Sequence, residues 1–319
     1  MPFSDIKGQE AALGMVRAFL SAGHPEGGYL YSGPDSVGKK MAARILAQAL
    51  NCSANNNDAC GLCPSCKKIE KGQHPDVHMI SSLTQQLKIE EIRQLQKDIN
   101  LKAYEGSFKV FIIDNAHTLT PEASNCLLKV LEEPPKSSLI ILVTDKPNLL
   151  FKTIISRCKV VKFKAGEREG LKKILREDYG LDGGFAHFLA YFSEGRLGEA
   201  LRLKETDILG IKNSIIDKVM APSSYGIEGL KIEDRESFRL SLNILNTWFR
   251  DIYLMKSGMP EPEAINFDRR GDLFSSMSRF SRLDLERIIG AISSTAFYLE
   301  RNINTRLLLH NLKAQIWER

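Results

Sequence analysis

At 319 residues, 43% of them hydrophobic, the chain carries enough apolar content for two or three domains with real cores. A formal net charge of +5 permits contact with nucleic acid without arguing for it, because a committed binder concentrates its charge in a patch. The first residues, MPFSDIKGQE, are polar, and no apolar run approaches the ~18 residues of a membrane span, which argues against a leader or membrane anchor and for a soluble intracellular protein.

The first element with chemical content is the stretch YSGPDSVGKKMAARILAQAL. A β-rich run, GYLYSG, feeds a loop from Gly33 to Gly38, and a helical pattern with Met41, Ile45 and Leu46 on one face starts at Lys39. That order fits the phosphate-binding loop G-x-x-x-x-G-K: backbone N–H groups at a helix N-terminus cradle phosphates and Lys39 reaches the terminal ones. The next position departs from the motif, since Lys40 stands where Ser or Thr would hold Mg²⁺. Like charges about 4 Å apart repel by about 4 kcal/mol at an effective dielectric of 20, so magnesium is not expected here unless Lys40 swings away.

Directly downstream, CSANNNDACGLCPSC places Cys52, Cys60, Cys63 and Cys66 in two overlapping C-x-x-C steps with one Cys upstream. Four thiolates at that spacing can converge on one zinc ion, and with no open coordination position the site is structural. A disulfide pairing competes with this reading but is rare in a cytosolic chain. No Lys or Arg falls within residues 52–66, which weakens a nucleic-acid-gripping role for the module. His74 and His78 read as loop and strand-edge residues, and Cys126 and Cys158 as small core residues.

Further runs, DVHMI, KVFIID, SLIILVT and CKVVKFK, alternate with helical patterns up to about residue 165. One of these, IEEIRQLQKDI, sets Ile89, Ile92, Leu95 and Ile99 on one face, leaving Lys88, Arg93 and Lys97 to a solvated one. Near-continuous apolar strands between helices predict a parallel sheet covered on both faces. The strand KVFIID ends in Asp114, which suits a Walker B strand whose Asp assists a metal, but Asn115 follows where a water-orienting Glu is needed. In TPEASNCLLKVLEEPP, Thr120 is the N-cap, Pro121 opens the first turn, and the two prolines after Glu133 stop the helix. Glu132 and Glu133 at its C-terminus oppose the macrodipole, a cost met by solvent or by basic residues of a partner.

Beyond residue 165 the pattern is helical. EREGLKKILREDYG and GFAHFLAYFSEG predict a small helical domain over 166–206. Over 207–319, long apolar-striped helices include one with Phe238, Leu242, Leu245, Phe249 and Ile252 at helical spacing. The last helix is apolar around much of its circumference and requires burial in its own bundle or against partner subunits.

Taken together, FSDIKGQ, YLYSGPDSVGKK, the cysteine insertion, IIDNAHTLTPEASNCLLKVLEEPP and TIISRC resemble the bacterial clamp-loader subunits of DNA polymerase III, with specific motifs through residue 206 and a looser match at NTWFRDIYL. The resemblance implies an AAA+-type domain over 1–165, a lid over 166–206 and a C-terminal oligomerisation collar. It implies membership of a DNA-directed DNA polymerase holoenzyme, with gamma/tau and delta subunits as partners and the sliding clamp and primer-template DNA reached through the complex. That family holds hydrolysing motors, gamma and tau, and a delta-prime class that commonly does not hydrolyse. The chain resembles the latter: Lys40 replaces the magnesium-binding hydroxyl, Asn115 the catalytic Glu, and Gly198 an Arg that senses the γ-phosphate, with Arg196 two positions away as a possible substitute. ATP or ADP is then bound weakly through Gly33, Gly38, Lys39, Asp114 and Thr144, the last at the polar sensor position. Arg157 of the SRC triplet corresponds to an arginine finger delivered in trans to a neighbouring motor, a role suited to a planar guanidinium that needs no deprotonation. A hydrolysing motor subunit, and an unrelated zinc-containing binding protein on a nucleotide fold, are the alternative readings.

Overall fold

The structure, a computed structural model, describes residues 2–23, 27–54, 57–81, 86–220, 234–258, 260, 263–301 and 303–317. The chain divides into two compact units, the first formed by Met1–Leu171 with Glu194–Glu199, the second by Lys172–Ser193 with Ala200–Arg319.

In the first unit the order is α1 (Glu10–Ser21), β1 (Gly27–Ser32), α2 (Lys39–Leu50), α3 (Pro64–Glu70), β2 (Val77–Ile80), α4 (Ile89–Ile99), β3 (Lys109–Ile113), α5 (Pro121–Glu132), β4 (Ser138–Thr144), α6 (Lys152–Ile155) and β5 (Cys158–Lys162). The five expected strands form one parallel sheet in the order β2-β3-β4-β1-β5. Its apolar residues alternate between two cores because strand side chains alternate faces. Tyr29, Tyr31, Val110, Ile112, Ile141 and Val143 pack with Val16, Ile45 and Leu46 on one side. Leu30, Phe111, Ile113, Ile140 and Leu142 pack with Ile92, Leu95, Leu127 and Ile154 on the other. This doubly covered parallel sheet is the α/β layout that the resemblance implies.

Register gathers the functional candidates. Ser32 pairs with Thr144, and Ile113 with Leu142, so the carboxyl ends of β1, β3 and β4 lie side by side. Ligands of open α/β sheets bind in the crevice outside such ends, where the strand order reverses. Helix α5 begins as expected: the Thr120 hydroxyl accepts from Ala123 N–H at 3.3 Å, and the helix ends at Glu132 before the two prolines.

The second unit is helical: most of α7 (Arg168–Glu177), α8 (Gly183–Phe192), the end of α9 (Leu197–Lys204), α10 (Ile208–Met220), α11 (Arg235–Lys256), α12 (Arg270–Arg279), α13 (Arg282–Glu300) and α14 (Thr305–Trp317). The predicted stripe of α11 is buried, together with Trp248. Its core also holds charge in paired form, as burial demands. Lys212 Nζ donates to Asp268 at 2.7 Å over the Phe188 ring, and the Asp251 carboxylate accepts from Asn266 N–H and side-chain amide, both at 2.8 Å. Helix α14 buries Leu308 and Leu312 but leaves Leu307 64% exposed, so its apolar circumference is only partly covered within this chain. Among the described residues, no helix is long and apolar enough to cross a membrane.

Candidate functional site

A cleft of about 470 Å³ opens at the strand ends, lined by Asp35, Ser36, Gly38, Lys39, Lys40, Met41, Arg44, Asp114, Asn115, Val143, Thr144, Asp145 and Gly198. Its loop is built on backbone angles that few residues adopt. Gly33 has φ 147° and a Cβ there would lie 2.1 Å from the Phe163 carbonyl oxygen, while Gly38, at the N-cap of α2, has φ 96°. Gly33 N–H donates to the Thr144 carbonyl at 3.3 Å, which ties the start of the loop to the end of β4.

The two lysines act differently. Lys39 is buried and folds back into the loop, its Nζ donating to the Gly33 carbonyl at 2.8 Å and to that of Pro34. Burial pulls its pKa below the ordinary lysine value, against the carboxylates of Asp35, Asp145 and Asp114. Lys40 reaches the other way, and its Nζ sits 2.9 Å from Asp114 Oδ2. The second oxygen of Asp114 accepts from Asn115 N–H at 3.0 Å. Asn115 itself has φ 51°, a left-handed conformation that Asn tolerates better than most residues, and it offers no carboxylate.

Magnesium does not fit this arrangement. The residue that would supply a hydroxyl ligand supplies an ammonium instead, and that ammonium already holds the carboxylate that would assist the metal. The position of the expected γ-phosphate-sensing Arg is closed as well. Gly198 N–H donates to the Ser36 carbonyl at 2.9 Å, and a Cβ on Gly198 would stand 2.7 Å from that oxygen, so no longer side chain enters without moving the loop. Among the described residues lining the cleft, Arg196 is absent.

Thr144 is buried, and its hydroxyl meets His117 Nδ1 at 3.0 Å and accepts from Lys146 N–H at 3.0 Å. His117, which sequence reading passed over, also approaches Asp145 Oδ1 at 3.3 Å. Burial lowers its pKa, Asp145 opposing. Its position in AHTL after a strand gave no signal, because only the short helical turn Ala116–Thr118 aims it at β4.

The four cysteines meet away from the cleft. Ligand atoms of Cys52, Cys60, Cys63 and Cys66 all lie within 4.8 Å of one another. Tetrahedral zinc–thiolate bonds of ~2.3 Å put sulfurs about 3.8 Å apart, so one ion such as zinc is accommodated by a small contraction. The loop N–H groups favour the thiolate at two of the four: Cys60 Sγ accepts from Cys63 N–H at 3.3 Å, and Cys63 Sγ, capping α3, from Cys66 N–H at 3.4 Å, whereas burial pushes the Cys66 thiol up to about 12. For Cys63, burial opposes ionisation, but the N–H groups of Cys66 and Ser53 hold the thiol down to about 6. Gln48 side-chain N–H donates to the Cys66 carbonyl at 2.8 Å and anchors the module on α2. His74 and His78 are not part of the cluster. His74 Nε2 lies 3.5 Å from a Glu105 oxygen, and His78 stacks on Phe111 with ring centres 4.7 Å apart.

Arg157 lies in the turn between α6 and β5, 36% exposed in its side chain. Its guanidinium donates to Glu132 Oε1 at 2.6 Å and to the Thr153 carbonyl at 3.1 Å. Glu132 at the end of α5 therefore meets a basic residue of its own chain.

Residues 8–167 match the family profile described as DNA polymerase III, delta subunit. The chain belongs to the family of DNA polymerase III clamp-loader subunits. Within the family, it is 37% identical over 217 residues to DNA polymerase III subunit tau of Escherichia coli strain K12, an alignment spanning 65% of this chain and 33% of tau. It is 33% identical over 260 residues to subunit gamma of Buchnera aphidicola from Acyrthosiphon pisum, covering 77% of this chain and 72% of gamma. With subunit delta′ of Bacillus subtilis strain 168 it shares 33% identity over 180 residues, 56% of this chain and 54% of that one. The chain thus spans about a third of the length of the tau relative. Subunits named tau, gamma and delta′ are all among these relatives, so similarity alone does not assign the chain to one of these subunit classes.

Proposed function

We propose that this chain is the non-hydrolysing, delta-prime-like stator of a bacterial DNA polymerase III clamp loader. It assists ATP-driven loading of a sliding clamp on primer-template DNA and works beside gamma/tau and delta subunits in the cytoplasm. The observation that carries the reading is the ion pair between Lys40 and Asp114, which takes the magnesium position of the loop. Asn115 and Gly198 support it, since neither can polarise a water nor reach a γ-phosphate. In this reading residues 1–165 form the AAA+-type domain, 166–206 the lid and 207–319 the collar. Cys52, Cys60, Cys63 and Cys66 hold a structural zinc, and Arg157 is the arginine finger supplied to a neighbour's ATP. The partly exposed, already oriented guanidinium of Arg157 suits that task.

The test has two arms. The isolated chain should show no magnesium-dependent ATP hydrolysis above that of its Lys39→Ala variant. In a reconstituted complex, Arg157→Ala should leave assembly intact and lower the DNA- and clamp-stimulated ATPase; removal of a finger costs ~10³ to 10⁵ at a single site, of which intact sites elsewhere mask part. Robust turnover by the wild-type chain, abolished by Lys39→Ala, would favour a gamma/tau-like motor, the reading to which the 37% identity with tau lends weight.

A further inference from the structure

Where a magnesium-dependent loop holds its metal, this cleft places the ammonium of Lys40. Three basic residues, Lys39, Lys40 and Arg44, line it against three carboxylates, Asp35, Asp114 and Asp145. In a magnesium-dependent loop the metal bridges the phosphate chain and the acidic residue at the end of the neighbouring strand. Here Lys40 Nζ stands 2.9 Å from that acidic residue, and its side chain remains half exposed toward the cleft. An ammonium has three N–H donors, so it can keep Asp114 on one and offer the others to phosphate oxygens.

We infer that the cleft binds the di- or triphosphate chain of a nucleotide in its metal-free form, with Lys40 serving as a tethered replacement for the divalent cation. The inference rests on the reading of this cleft as a non-hydrolysing nucleotide site and goes beyond it by naming the ionic form of the ligand.

The six charges of the cleft balance, so the direction of the metal effect is set locally, by the ammonium of Lys40 at the place a metal would take beside Asp114. A free nucleotide brings its full negative charge to Lys40 and Arg44. A magnesium complex brings two fewer negative charges and a cation that must approach an ammonium. Magnesium therefore competes with the protein for the phosphate chain instead of helping it bind. Lys39 adds a second feature: phosphate must draw its ammonium away from the Gly33 and Pro34 carbonyls, so affinity is modest. The bound nucleotide would be held without being activated, since no metal is present to polarise it and no carboxylate follows Asp114 in the chain.

Calorimetric titration of the full chain with the sodium salt of ADP tests this, in magnesium-free buffer and again with millimolar magnesium chloride. Chelators are left out so that the cysteine site stays undisturbed. Binding is expected without magnesium, with pyrophosphate as a competitor, and the dissociation constant should rise when magnesium is added. Lys40→Met keeps the apolar stem and should weaken metal-free binding about tenfold, the size of a lost charged hydrogen bond. Lys40→Thr should reverse the metal effect, because it frees Asp114 and restores a hydroxyl. Both variants change a half-exposed side chain, and unchanged melting curves establish that they fold. Binding by the wild-type chain that requires magnesium overturns the inference, as does failure of ADP to bind under either condition or of pyrophosphate to compete. Failure of ADP to bind, or of pyrophosphate to compete, leaves the stator reading intact; magnesium-dependent binding also removes the Lys40–Asp114 observation that carries that reading, and turnover of ATP by the wild-type chain removes the reading and this inference together.

Discussion

Gly33 leaves β1 with its backbone in a region that side chains rarely enter, pressed against the Phe163 carbonyl. Gly33→Ala is expected to destabilise the chain by about 2 to 4 kcal/mol, measured by denaturant unfolding, because backbone on both sides of the contact must move. At Gly198 the same physics explains a missing functional group: the loop carbonyl of Ser36 occupies the space a sensing Arg would need. Glu132 is explained by Arg157. The pair is largely solvated, so Glu132→Ala should cost less than about 1 kcal/mol in stability. It should also lower the clamp-stimulated ATPase of a reconstituted complex by less than Arg157→Ala does, with kcat falling more than KM rises, because the guanidinium loses orientation but not charge. Equal ATPase in Glu132→Ala and wild type, beside a defective Arg157→Ala, would show that Thr153 alone orients the proposed finger.

At the scale of elements, α3 and the loop before it depend on the cysteines. Cys63 caps α3 through its sulfur, Cys66 lies in the first turn, and among the described residues few large apolar side chains of this segment are buried, Ile69 being one. Metal binding should therefore be coupled to local folding. Elemental analysis of protein purified under reducing conditions is expected to give about one zinc per chain. Removing it should lower the melting midpoint by more than about 5 °C, and helix α3 should lose amide protection first. Metal-free protein with an unchanged midpoint would refute the structural role.

For the molecule as a whole, the first unit holds three histidines with depressed pKa values, His74 buried and His78 and His117 partly buried. Burial is the leading cause at His74, His78 and His117. Unfolding returns each to its ordinary value near 6.5, so between the folded and unfolded values the unfolded chain binds more protons. The histidine contribution to stability is thus fully present above pH of about 6.5 and is lost as pH falls below it. Melting midpoints between pH 7.5 and 5.5, with zinc content followed in parallel, are expected to fall toward acid. His78→Phe, which preserves the stack on Phe111, should flatten the slope. A midpoint independent of pH over that range would contradict this account.

The sequence by itself determined the five strands, the loop from Gly33 to Lys39, the N-cap at Thr120 and the stripe of α11, because each rests on local periodicity or on residues adjacent in the chain. The convergence of Cys60, Cys63 and Cys66 was legible for the same reason, since two-residue steps keep their thiols close, while Cys52, further upstream, is brought to them by the loop between. It could also name what stands at positions 40, 115 and 198, but not what those residues do. Only the parallel register, which brings the ends of β1, β3 and β4 together across more than a hundred residues, decided that Lys40 pairs with Asp114 and that Thr144 faces His117. The approach of Glu132 to Arg157 and of Gly198 to Ser36 has the same origin. Such contacts are set by the packing of separate elements, and no local pattern encodes the distance between them.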